Sequence, residues 1–332
     1  VEVSALEWGI TIGITVGVLL FDVFLIARRP HVPSMRECTI AFVIYMAAAG
    51  VFGIWTWAFH GQEYGVDFFT GFIVEKSLSV DNLFVFIVLM SALAVPRKYQ
   101  QEALMVGIIL ALIFRGIFIA LGYALIENFS WVFYVFGAFL IYTAVNLLRS
   151  YRKHEEQHPE DSKVVEFSRK HLNVGDKWLG LKLFYKDKGV RYASPMLIVI
   201  IALGATDLLF ALDSIPAIFG ITQEPYLVFT ANVFALMGLR QLYFLIGGLL
   251  QRLVYLSLGL SFILAWIGAK LIIHALYKGG VIDWEVPTLL SLAVILVALT
   301  VTAVASLAKT KSDERTEVTA TDSTPPAPQP KD

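Results

Sequence analysis

Nine apolar runs, each close to the roughly 20 residues that carry a helix across the hydrocarbon core of a bilayer, dominate the chain. They lie near residues 5–27, 38–59, 67–93, 103–126, 130–149, 193–221, 226–249, 252–274 and 285–308. In lipid every backbone N–H and C=O must be paired internally, so runs of this length predict an all-α fold, a polytopic transmembrane helix bundle of nine spans in the lipid bilayer. Composition agrees, with 57% of the 332 residues hydrophobic and only 16% charged, outside the usual mix of a soluble domain. A net charge of -1 leaves no basic surface for nucleic acid. The single cysteine, Cys38, excludes an intramolecular disulfide and any Cys cluster for zinc or iron–sulfur chemistry.

The flanking charges test the span count independently. Arg28, Arg29 and Arg36 follow the first span, Arg97 and Lys98 the third, a basic loop the fifth, Arg252 the seventh, and Lys309, Lys311 and Arg315 the ninth. The opposite loops lack Lys and Arg except at Lys278. Positive charge stays cytoplasmic, which predicts an outside N-terminus and a cytoplasmic C-terminus. The N-terminus carries Glu2 and Glu7 rather than a basic leader, so the first span is expected to stay in the membrane.

These boundaries give a transmembrane domain over 1–309, with a cytoplasmic loop at 150–192, and a tail at 310–332 whose Thr, Ser, Pro and charge predict disorder. In the loop, His154 and His158 have a helical spacing that suits metal ligands, although a pair in a polar loop is usually just solvated. Gly9, Gly13 and Gly17 form a small-residue stripe expected to pack against another helix.

Two acidic stretches stand inside apolar runs. Glu75-Lys76-Ser77-Leu78-Ser79-Val80-Asp81-Asn82 is in span 3, and Asp207-Leu208-Leu209-Phe210-Ala211-Leu212-Asp213-Ser214 in span 6. Each reads acid, five residues, Asp, small polar residue. A charge at the centre of a lipid-embedded helix costs about 2.5–3.5 kcal/mol on insertion scales, so acids kept there are functional candidates. A shift of three spans reverses direction, which predicts an inverted repeat of spans 3–5 and 6–8 with its site near the midplane. Arg115 in span 4 would then match Arg240 in span 7.

On a regular helix, positions six apart are about 120° apart around the axis. Glu75, Ser79 and Asn82 should therefore share one face, as should Asp207 and Ser214, while Asp81 and Asp213 point elsewhere unless the helix opens. Pro216 supplies a reason for an opening in span 6. Inside the spans, Asp22, Glu75, Asp81, Asp207 and Asp213 outnumber Lys76, Arg115, Arg240 and Lys270, five to four, and a bound cation would improve that balance. Lys270 near the end of span 8 is expected to snorkel outward. Asp22 reads equally as an outlying pathway acid or as a partner of Arg28 or Arg29. The oxygen ligands on offer suit hard cations such as manganese, magnesium or calcium, and they also admit monovalent ions and protons. The amide of Asn232 in span 7 either joins the site or bonds to a neighbouring helix.

The runs Glu75 to Phe86, Asp207 to Ala217 and Asn232-Val233-Phe234-Ala235-Leu236-Met237-Gly238-Leu239-Arg240 resemble the TerC family of integral membrane proteins. The resemblance covers roughly residues 5–275, with Asp22, Arg115, Gly268 and Lys270 at family-like positions. It implies tellurium resistance, manganese export and responses to alkaline pH in some members, and thylakoid protein insertion in a plant branch. The expectation is therefore an exporter of a divalent metal cation with no permanent cofactor and no enzymatic activity. Glu75, Asp81, Asn82, Asp207, Asp213 and Ser214 would ligate manganese, supported by Asp22, Ser79, Arg115, Asn232, Arg240 and Lys270, and protons are a natural coupling partner. The rival expectations are an insertion or assembly factor with membrane-protein partners and a tellurite-handling protein centred on the arginines. Homo-oligomers are compatible with each.

Overall fold

The computed structural model describes residues 3–28, 33–129, 131–153, 170, 173–187, 189–246 and 254–322, with the side chains of 19, 20, 22–28, 81, 84, 153, 246 and 311–322 left outside the description. Ten helices and one hairpin follow in order: α1 (Ala5–Arg28), α2 (Met35–His60), α3 (Gln62–Ala92), α4 (Arg97–Asn128), α5 (Val132–Lys153), β1 (Phe184–Asp187), β2 (Val190–Ala193), α6 (Pro195–Phe219), α7 (Pro225–Leu236), α8 (Leu239–Ile246), α9 (Leu256–Lys278) and α10 (Thr288–Asp322).

Among the described residues, seven helical stretches are long and apolar enough to cross a membrane. They correspond to α2, α4, α5, α6, the α7–α8 pair, α9 and the first part of α10. Two helices at expected span positions fall outside this set. The described apolar part of α1 is only Ala5–Val18, and α3 carries Glu63, Asp67, Glu75, Lys76 and Asp81.

Local chemistry sets the joints. Ser34 caps α2 by accepting from the Glu37 N–H at 3.2 Å, as an N-cap hydroxyl should. Gly61 alone separates α2 from α3 at φ +115°, a backbone state open essentially to glycine. Pro195 and Pro225 open α6 and α7, where the missing N–H costs nothing.

One joint departs from expectation. The helix interruption lies in the seventh span, where Met237 turns extended at ψ 134° and Gly238 takes φ +79° between α7 and α8. By contrast α6 is helical throughout Asp207 to Asp213, and Pro216 sits only in its last turn. A proline disturbs mainly the turn preceding it, and here the helix is about to end.

Helices α3, α4, α6 and α7 pack against one another at the centre. In α7 every residue from Tyr226 to Leu236 except Phe229 is buried, as expected of a helix shielded on all sides. The outer helices instead present rows such as Ile44, Val51 and Ile54 on α2, or Val297, Val301 and Val304 on α10, a surface suited to hydrocarbon. Two apolar cores flank the centre, one around Phe68, Phe133, Phe219 and Tyr226 and one around Leu83, Leu89, Leu104 and Leu203. On α3 the first takes in Leu78 and the second begins at Leu83, so the polar stretch lies at their junction.

Other expectations fare differently. A methyl group added at Gly9, Gly13 or Gly17 would meet nothing within 4 Å, so the glycine stripe packs against no described part of the chain. A glycine–glycine crossing lies instead between α5 and α9, where the carbonyl of each of Gly137 and Gly268 lies 2.8 Å from a methyl group added to the other. Within the 150–192 loop, β1 and β2 pair antiparallel, Phe184 opposite Ala193, a small addition to an otherwise helical fold. Helix α10 runs to Asp322, past the Thr310 at which composition predicts disorder to begin. His154 and His158 lie outside the described residues.

Candidate functional site

Glu75 of α3 and Arg115 of α4 are 0% and 1% exposed, and they form an ion pair at the meeting point of the central helices. The same guanidinium nitrogen, Nη1, donates to Asn232 Oδ1 of α7 at 2.7 Å. Asn232 in turn donates from Nδ2 to the carbonyl of Val228 at 3.2 Å. Arginine's fork suits such a task, since it stays charged and addresses several acceptors from one fixed plane. Asp207 of α6, 3% exposed, completes the arrangement, close enough for its charge to act on Glu75 and for Arg115 to act on both carboxylates.

The helical-face expectation holds. Glu75, Ser79 and Asn82 are all buried on α3, as are Asp207 and Ser214 on α6. Many of their atoms lack a partner among the described residues: Glu75 Oε1, Ser79 Oγ, Arg115 Nε and Nη2, Asp207 Oδ2 and Ser214 Oγ. A buried polar atom left unpaired costs about 1–3 kcal/mol. Five of these atoms, on Glu75, Ser79, Arg115 and Asp207, belong to the centre and the sixth, on Ser214, to a neighbouring cavity; unpaired at this depth, they call for water or an ion.

Two cavities adjoin them. The first, of about 10 Å³, has Ser79, Asn82 and Asp207 in its wall beneath Leu83, Phe86, Leu236 and Leu239; that is room for a single water-sized particle. The second, of about 140 Å³, is lined by Asn82, Thr143, Asn146, Ser150, Asp213 and Ser214. There Thr143 Oγ1 donates to Asp213 Oδ1 at 3.0 Å. Asn82 lies in the wall of both. The three acids whose side chains are described do not form one cluster: Glu75 and Asp207 come together and Asp213 faces the second cavity, while the side chain of Asp81 is outside the description. Among the described residues no three His, Cys, Asp or Glu side chains are grouped as metal ligands.

The supporting residues are distributed. Arg240, 9% exposed, stands on α8, which packs against α2, beyond the interruption that separates it from Asn232. Lys270 does not snorkel outward; it is 6% exposed and lines a third cavity with Asp67. Asp22 lies on α1, with its side chain outside the description.

Sequence reasoning missed two features. Lys76 donates from Nζ to the carbonyls of Ala235 and Met237, each at 3.0 Å, and so satisfies the end of α7 where the helix breaks. The Met237-Gly238 pair was the available signal, because glycine inside an apolar run marks a break. The second is Asp67, 8% exposed, which stands at the first position of the predicted span over 67–93; an acid inside an apolar run was the signal.

Two buried carboxylates, one of them ion-paired to an arginine from a third helix, inside a bundle of apolar helices with lipid-suited outer faces, define a polytopic membrane protein with an intramembrane polar centre. The chain belongs to the integral membrane protein TerC family, whose family model matches residues 60–314. It is 44% identical over 314 residues to an uncharacterized membrane protein of Mycobacterium tuberculosis, covering 91% of this chain and 79% of that one. An uncharacterized membrane protein of Myxococcus xanthus is 38% identical over 305 residues, with 92% of each chain covered. The putative membrane-bound redox modulator Alx of Escherichia coli is 34% identical over 308 residues, with 90% of this chain and 93% of that one covered. No solved structure matches.

Proposed function

We propose that the protein is a transporter that exports a divalent metal cation, with manganese the leading candidate. The observation that carries this reading is the set of unpartnered buried oxygens on Glu75, Ser79 and Asp207, around an arginine already engaged by Glu75 and Asn232, with a further unpartnered oxygen on Ser214 in the second cavity. Oxygen donors of this kind suit hard cations. With few carboxylates close together, the ion would keep part of its water shell, as small divalent ions commonly do. Asp81 and Asn82 would complete the ligand set, Asp213 would hold the ion in the second cavity, and one carboxylate would carry an exchanged proton.

Several features support alternating access. The Asp213 cavity lies toward the α5 end that enters the 150–192 loop, and the Asp67 cavity lies at the turns joining α2 to α3 and α6 to α7. The charged flanks favour nine spans with the N-terminus outside. The Gly137–Gly268 crossing joins the fifth and eighth spans, which would be equivalent in an inverted repeat. An oxyanion reading is less well served, since Arg115 is committed to its own carboxylate. The name given to the Alx relatives suggests redox work, but one cysteine supplies no dithiol pair.

The test is manganese efflux from loaded proteoliposomes containing the purified protein, with and without a pH gradient. Efflux that is lost in Asp81→Asn and Asp207→Asn is the expected result. Equal efflux in these variants, or none of manganese, magnesium or calcium in the parent, would overturn the reading.

A further inference from the structure

We infer that the cavity between the N-terminal end of α3 and the C-terminal end of α9 is a second divalent-cation site, separate from the Glu75–Asp207 centre. This cavity, of about 240 Å³, is walled by Glu63, Asp67, Thr222, Glu224, Lys270 and Glu285. Four of those six side chains are carboxylates and one is cationic. The excess is negative; the other polar groups on the wall are Tyr64, Gln223, His274 and the Thr288 hydroxyl, and no three of the acids converge as direct ligands.

The feature that points to a ligand is Asp67. It is 8% exposed and lies on the cavity wall; the Thr222 and Thr288 hydroxyls reach its carboxyl group, yet its Oδ1 is left without a hydrogen-bond partner among the described residues. An anionic oxygen in that position needs a proton, a water or a cation. Lys270 faces both Asp67 and Glu285 on this wall; as an ammonium it offsets only one of the four carboxylates, and Glu285 is held besides by His274.

His274 is not available as a ligand without rearrangement. Its Nε2 is 2.7 Å from Gln223 Nε2 and its Nδ1 is 2.5 Å from Glu285 Oε1. Gln223 also accepts from Lys278 Nζ at 3.2 Å. This chain ties the α6–α7 turn to α9 and to the loop before α10, and so holds one wall of the cavity in place. With its nitrogens engaged, the donors left are hard oxygens, which favour ions such as Mn²⁺, Mg²⁺ or Ca²⁺ over zinc or copper. The ion would be held partly hydrated, by Asp67 directly and by the rim acids through water.

Binding here needs no turnover, so the site stands or falls independently of the transport reading. The experiment is Mn²⁺ binding to the full-length protein in detergent, followed by equilibrium dialysis with bound ion counted per chain. Asp67→Asn should lose one bound ion that Asp207→Asn retains, and Lys270→Met should bind that ion about tenfold more tightly, since a repelling charge is gone. A folded Asp67→Asn protein that binds as many ions as its parent would overturn the assignment. So would a Lys270→Met protein with unchanged or weaker binding, the result expected if Asp67 and Lys270 are only structural counter-charges. If Asp67→Asn does not fold, the rim variant Glu63→Gln/Glu285→Gln decides, with about tenfold weaker binding expected and unchanged binding contradicting the site.

Discussion

The ammonium of Lys76 lies 3.0 Å from the carbonyl oxygen of Met237. Lys76 thus holds the C-terminal end of α7, where the helix dipole is negative and where Gly238 prevents the chain from continuing helically. A lysine on one helix fixes a break in another, and that break is what allows α7 to end at the level of the polar centre.

Lys76→Met should therefore leave the carbonyls of Ala235 and Met237 without their donor. The expected cost is about 1–3 kcal/mol, visible as a lower unfolding temperature in detergent. Lys76→Arg should recover much of it. A Lys76→Met protein as stable as its parent would show that the break holds itself.

Breaking the Glu75–Arg115 pair from one side should cost more than removing both charges. Glu75→Gln and Arg115→Met should each destabilise by about 3–5 kcal/mol, whereas the double variant should lose markedly less than the sum. Thermal unfolding of all four proteins measures the coupling. Simple additivity would mean that the two side chains do not depend on each other.

The two acids of α6 should fail differently. Asp207→Asn removes a carboxylate from the centre and should lower the maximal manganese efflux rate by at least about tenfold, while Asp213→Asn, in the second cavity, should mainly raise the half-saturating concentration. Initial rates across a manganese series distinguish these outcomes. Identical defects would place both acids at one site.

Glycine substitutions should separate the crossing from the stripe. Gly137→Ala or Gly268→Ala forces a methyl group to within 2.8 Å of a facing backbone carbonyl, and overpacking of this sort costs about 1–3 kcal/mol. Gly9→Ala and Gly13→Ala meet nothing within 4 Å and should not lower the melting point of the purified protein. A destabilised Gly9→Ala would reveal a partner for the stripe, such as a second copy of the chain.

The fold class and the membrane setting were legible in the residues alone, as were the side of α3 on which Glu75 stands and the separation of Asp207 from Asp213 on α6. These follow from local rules: apolar run length answers to bilayer thickness, and the 3.6-residue period fixes that Glu75, Ser79 and Asn82 share a side while Asp213 does not share one with Asp207. Tertiary structure alone decided which of those faces meet. That Arg115 answers Glu75 and Asn232, that Lys76 caps Met237 rather than pairing with an acid, and that Lys270 turns inward to Asp67 depend on how α3, α4, α6, α7 and α9 pack. The helix break shows why the division falls there. Pro216 is the stronger local breaker, but it stands where α6 is already ending. Gly238 is the weaker one, and a lysine from another helix makes its break stable.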